Sequence, residues 1–109
     1  MSCIAVVTTV DNIDEARSIA RTLVERGLAA CAQISEIESF YTWHGAVQNE
    51  KEYRIVLKTT DERYPAIEAA IKEMHSYELP QICAFVFEHV YQPYAEWIES
   101  MVARCRSRT

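Results

Sequence analysis

One of the chain's three histidines stands in the stretch EMHSYELP, residues 73–80, beside a methionine, a tyrosine and two glutamates. An imidazole there is suited to three tasks. It can act as a general base, as a metal ligand, or as the polar end of a helix whose dipole favours a cation. Cys83 lies three residues beyond Pro80 and adds a thiol. With His75 it has the elements of a Cys–His nucleophile, but no third group is supplied to orient the imidazole. The four cysteines, Cys3, Cys31, Cys83 and Cys105, are far apart and form no C-x-x-C pair. That spacing fits neither a zinc finger nor a disulfide framework. There is no G-x-S-x-G, no H-E-x-x-H and no dinucleotide fingerprint, and two glycines in all leave no phosphate-cradling loop. The expectation is a protein that is not an enzyme.

A second group is Lys58, Thr59 and Thr60, with Glu50 and Glu52 upstream. Lys58 follows Ile55–Val56–Leu57, so its stem should lie on apolar surface with the ammonium near solvent. Glu50, Lys51 and Glu52 read as a solvated strand edge. Tyr41, Trp43, Tyr77, Tyr94 and Trp97 form an aromatic set of the kind that packs interfaces or walls a cleft between subunits. Tyr77, Glu78 and Pro80 shape a turn, and Pro80 holds Leu79 extended.

The elements that position these groups follow from periodicity. Residues 3–10 are apolar and β-branched and predict a buried strand. Asp11 or Asn12 can cap a helix, which Gly27 is placed to end in a left-handed conformation. Residues 28–43 and 46–60 predict two strands joined by a tight turn at His44–Gly45. The apolar parity of the first arm changes after Ser35–Glu36, which predicts a β-bulge or bend there. A helix over about 62–75 has Pro65 in its first turn and Ile67, Ala70, Ile71 and Met74 on its apolar stripe. Residues 81–90 predict a fourth strand, nearly continuously apolar and so central or covered on both faces. Tyr94, Trp97, Ile98 and Met101 mark a short final helix. The order is βαββαβ plus a helix: an α+β, ferredoxin-like, four-stranded antiparallel sheet with a long hairpin between strands two and three. In it, strands one and four are neighbours. Thr8, Thr9, Met74, His75, Gln81 and Cys83 then share one end of the sheet, with Thr8 near Cys83.

The 109 residues are one domain's worth, 1–109, with half of them hydrophobic and a quarter charged. A net charge of −5 disfavours nucleic acid as a partner. The basic cluster of Arg104, Arg106 and Arg108 reads as a solvated terminus. The opening residues carry neither a basic n-region nor a run long enough for a membrane span, so a cytoplasmic protein is expected. Each hairpin arm would reach roughly 50 Å if extended, against a radius of gyration near 13 Å for a domain of this size. The hairpin must overshoot its own globule, and its aromatic edges need cover. A homo-oligomer in which each hairpin extends a neighbour's sheet meets that need.

LAACAQI at 28–34, SFYTWHG at 39–45, YRIVLKTT at 53–60, HSYELP at 75–80 and YAEWI at 94–98, in this order, resemble the CutA family of divalent-cation tolerance proteins. The resemblance covers nearly the whole chain. It implies a stable homotrimer of ferredoxin-like subunits, architecturally close to the PII signalling proteins. It also implies a role in metal tolerance, without an established reaction. Its metal site, where placed, uses a cysteine near the end of strand one and two adjacent histidines. Here those positions hold Thr8 and Met74–His75. Copper or another divalent cation is therefore expected to bind weakly, through His75, with Met74 as a thioether and Cys83 as a substitute thiolate; no cofactor is obligatory. Lys58, Thr59, Tyr41, Trp43, Glu52, Tyr77, Glu78 and Trp97 are the expected interface or cleft residues. At such an interface Lys58 would meet a carboxylate or a bound anion. An unidentified small ligand or protein partner of that cleft, in the manner of PII, is the alternative.

Overall fold

The computed structural model describes residues 2–106, with side chains to residue 102. The basic tail and Cys105 lie outside the described side chains. Strand β1 (Cys3–Val10) is followed by α1 (Ile13–Glu25), β2 (Cys31–Trp43) and β3 (Ala46–Thr60). A single 3-10 turn, Asp61–Arg63, leads into α2 (Tyr64–Met74), then β4 (Ile82–Val86) and α3 (Gln92–Arg106). The sheet order is β2-β3-β1-β4, with every neighbouring pair antiparallel. This is the ferredoxin-like arrangement with one helix added.

Local signals set the element ends. The Asn12 side chain accepts the Glu15 amide at 3.0 Å and caps α1. Gly27 has φ 73°. It lets the Leu28 amide reach back to the Leu23 carbonyl and its own amide reach Val24, the double bond that closes a helix end. His44 and Gly45 have φ 53° and 79°. Two positive values in a two-residue loop match the twist of the strands they join.

β1, one of the two inner strands, is buried at every residue. Its even-numbered residues Ile4, Val6 and Val10 join Ile55 and Leu57 of β3 beneath α1 and α2. The opposite face is covered at one end by α3, where Ile98 and Val102 pack with Cys3 and Ala30. Burial of Cys3 pushes its thiol pKa up, and the charge of Glu99 adds to this. Cys31 and Cys83 are only half-buried.

Three sequence expectations are corrected. No bulge interrupts β2: pairing runs one-to-one from Cys31↔Lys58 to Trp43↔Ala46. Side chains therefore alternate strictly. Ala32 and Ile34 face the helices, while Ile37, Tyr41 and Trp43 face the other way. The parity change marks a change of covered face, not an inserted residue. The fourth strand stops at Val86 and is an edge, with Phe85 and Val86 exposed. Phe87 ends the ladder by donating its amide to Cys3 O, and its side chain turns toward the α3 cluster. The final helix has 15 residues and is the longest of the three, not a short one.

The overshoot of the hairpin is observed. β1 pairs only with Tyr53–Thr60, so β3 from Ala46 to Glu52 has no strand on that side. The longest dimension is 45 Å and the radius of gyration 14.6 Å.

Candidate functional site

His75 follows the last residue of α2, and its backbone is already extended. Its Nε2 lies 2.8 Å from Thr9 O, and its Nδ1 accepts the Tyr77 amide at 3.1 Å. A carbonyl can only accept, so Nε2 carries the proton and Nδ1 is bare. The ring thus ties the α2–β4 loop to the end of β1. A second tie comes from Ser76, whose amide and hydroxyl both donate to the Glu15 carboxylate at 2.9 Å.

These ties aim Tyr77 at the root of the hairpin. The Tyr77 hydroxyl donates to Glu52 Oε2 at 2.6 Å, and Glu52 is only 6% exposed. Burial pushes the Tyr77 pKa up, and the bond to Glu52 adds to the rise. Beside it the Tyr41 hydroxyl donates to Glu50 Oε1 at 2.7 Å. That bond is the main reason the Tyr41 pKa is pushed up to about 12. The two Tyr–Glu pairs line a cleft of about 510 Å³ with Thr9, Ser39, Phe40, Trp43, Glu78, Leu79 and Gln81. By strand register, Thr9, Ser39, Tyr41, Trp43, Glu50 and Glu52 all belong to the sheet face away from α1 and α2.

The expected cleft residues therefore separate into two groups. Tyr41, Trp43, Glu52, Tyr77 and Glu78 come together. Lys58, Thr59 and Trp97 do not join them. Lys58 lies six residues along β3 from Glu52, about 20 Å away. Its Nζ sits 5.8 Å from the Tyr94 ring centroid, and that ring stacks on Trp97 at 5.6 Å. The Thr59 hydroxyl donates to Leu28 O at 2.7 Å inside the core, a structural bond. Glu50 reads as a solvated edge from sequence. Its spacing of two from Glu52 was the available signal, since it puts both carboxylates on one face.

The candidate metal ligands share one end of the sheet, as topology requires, but they do not converge. Thr8 pairs with Ile82 and Val7 with Cys83. Thr8 and Cys83 are therefore close in register and on opposite faces. Thr8 Oγ1 is buried without a hydrogen-bond partner. Met74 packs on the main core. The Cys83 sulfur takes a long contact from Gln81 Nε2 at 3.8 Å. Both His75 nitrogens are occupied. Among the described residues no three His, Cys, Asp or Glu side chains are grouped to hold a metal ion. These residues do not fit a ready-made metal centre within one chain.

The fold and this site define a ferredoxin-like subunit with a projecting hairpin and an acidic, aromatic cleft at the hairpin's root. Known proteins share that fold. Residues 4–101 match the family model for the CutA1 divalent ion tolerance protein. The divalent-cation tolerance protein CutA of Archaeoglobus fulgidus is 36% identical over 94 residues, covering 86% of this chain and 92% of its own. Human Protein CutA is 33% identical over 98 residues, covering 89% of this chain and 55% of its own. The chain belongs to the CutA1 divalent ion tolerance protein family.

Among solved structures, CutA from Archaeoglobus fulgidus, described as periplasmic, matches with a TM-score of 0.89 at 34% identity. It covers 92% of this chain and 98% of its own. CutA from Synechococcus elongatus PCC7942 matches with the same score and identity, covering 93% and 90%. Among the described residues no helix is long and apolar enough to cross a membrane.

Proposed function

We propose that this protein contributes to tolerance of divalent metal ions as a cytoplasmic homotrimer, without catalysing a reaction, and contacts copper or a related cation weakly through His75. Family membership supports the link to divalent cations. The observation that carries the oligomer is the change of face along the hairpin. Ile37, Tyr41 and Trp43 turn away from α1 and α2, onto a face that a neighbouring chain can border. Weak binding follows from the bonds of His75. A metal at Nδ1 must displace the Tyr77 amide, and one at Nε2 must displace Thr9 O. Met74 joins such a ligand set only by leaving the core.

Calorimetric titration with Cu(II) and Cu(I) tests the ligand. Affinity should fall at least about tenfold in His75→Ala, a loss of about 1.4 kcal/mol. Equal affinities would remove His75 from the account. Light scattering should give three chains for the native protein and a smaller assembly for Trp43→Ala. A native monomer would refute the trimer.

A second reading, a PII-like trimer that binds a small molecule, is favoured by the cleft. Its volume of about 510 Å³ lies within the ordinary range for small-ligand sites.

A further inference from the structure

Among the described residues of its own chain, Glu52 is a buried carboxylate that no cation meets. A carboxylate this deep is ordinarily matched by a cation or by several donors. Among the described residues its hydrogen bond is the one from the Tyr77 hydroxyl to Oε2, and it belongs to no ion pair. Oε1 is left to the cleft that Glu52 lines. Glu50 repeats the arrangement, with Tyr41 on Oε1 and Oε2 unbonded. Glu78 adds a third carboxylate, and no Lys, Arg or His lines the cleft among the described residues.

The walls have a second property. Tyr41, Trp43 and Tyr77 line the same space. Aromatic faces attract cations, most strongly where water is excluded. Carboxylates set among aromatic rings suit a positive charge attached to an apolar body. A bare hard cation is served less well, since it needs several converging oxygens, and no such group of three is present. Phosphates and carboxylates would be repelled.

We propose that this cleft binds an organic cation: an ammonium group held by Glu50 and Glu52, on an aromatic or apolar body lying between Tyr41, Trp43 and Tyr77. The proposal rests on the small-molecule reading and is independent of the metal reading.

The test is calorimetric titration of the full-length protein with three probes that share one body: phenethylammonium, 2-phenylethanol and phenylacetate. Phenethylammonium should bind saturably, at least about tenfold more tightly than either homologue. Glu50→Gln and Glu52→Gln should each remove most of that preference and leave the binding of the alcohol unchanged. Glu50 is exposed, so its variant keeps the fold even if the buried Glu52 site tolerates Gln poorly. Equal binding of the three probes, or ammonium binding unchanged in Glu50→Gln and in folded Glu52→Gln, would overturn the proposal. Preference for phenylacetate would overturn it and leave the small-molecule reading standing. No binding of any probe would overturn the proposal, as expected if a Lys or Arg from a neighbouring copy fills the cleft, and would leave the small-molecule reading to ligands of another shape.

Discussion

The sheet face turned away from α1 and α2 is finished in opposite ways at its two ends. At one end Lys58 lies over Tyr94, Tyr94 stacks on Trp97, and the start of β1 packs against α3. At the other end Glu50 and Glu52 each take a tyrosine hydroxyl and meet no cation among the described residues. Both ends set a charge against tyrosine. The cation uses the ring face, and the carboxylates use the hydroxyl. The difference is one of cover: a 15-residue helix serves the Lys58 end, whereas a short loop serves the Glu52 end. The first end is complete within one chain. The second is half-built and is where a ligand or another chain has something to add.

The largest effect should appear at the less covered end. Tyr77→Phe leaves buried Glu52 without its donor, at a cost of about 1–3 kcal/mol for an unsatisfied buried polar group. Tyr94→Phe loses only a weak contact with the Cys31 sulfur at 3.7 Å and should cost less than about 0.5 kcal/mol. Urea unfolding midpoints measure both. Equal losses would break the comparison. Adding Glu52→Gln to Tyr77→Phe should restore part of the loss, because the buried group is then neutral.

Next in size is Thr59→Val, beside Lys58 on β3 but on the face toward α1 and α2. It removes the hydroxyl bond to Leu28 O at 2.7 Å in the core. The expected destabilisation is about 1 kcal/mol, the usual net worth of such a bond. A loss as large as that of Tyr77→Phe would show that the two ends are equally dependent on single bonds.

The path of the chain was legible because periodicity and end signals agree. Asn12, Gly27 and His44–Gly45 stand where a cap, a helix stop and a hairpin turn need them. The hairpin's parity change was legible as an event but not as its cause. Only the continuous pairing from Cys31 to Trp43 separates a change of cover from an inserted residue. The run QICAFVFEHV overstated β4, since apolar residues beyond Val86 pack on α3 instead of extending the ladder. The Tyr77–Glu52 pair was out of reach for a physical reason. Its members are 25 residues apart and meet only because His75 and Ser76 fasten the loop that carries Tyr77.

Lys58→Met should cost about 0.5–1 kcal/mol, the range for an ammonium over an aromatic ring. Methionine keeps much of the stem's apolar cover, so the loss isolates the charge. The same substitution should leave any binding at the cleft unchanged, since Lys58 lies about 20 Å along the strand. A weakened ligand response in Lys58→Met would mean that the two ends meet across a subunit boundary.

The smallest effect is a titration. Tyr41 has its pKa pushed up to about 12, chiefly by its bond to Glu50. Its neutral phenol is the form that the folded chain favours. The stabilisation is therefore fully present below the ordinary phenol pKa, near 10. It is lost as pH rises from there through about 12. Tyr41 is exposed, so the stability change is small and ionisation itself is the better readout. Phenolate absorbance compared between the native chain and Tyr41→Phe should show one tyrosine titrating late. In Glu50→Gln that tyrosine should return toward the ordinary range. If Tyr41 titrates normally in the native protein, the Tyr41–Glu50 bond does not persist in solution. The cleft would then have one free carboxylate in place of two ordered ones, and the contrast between the ends would rest on Glu52 alone.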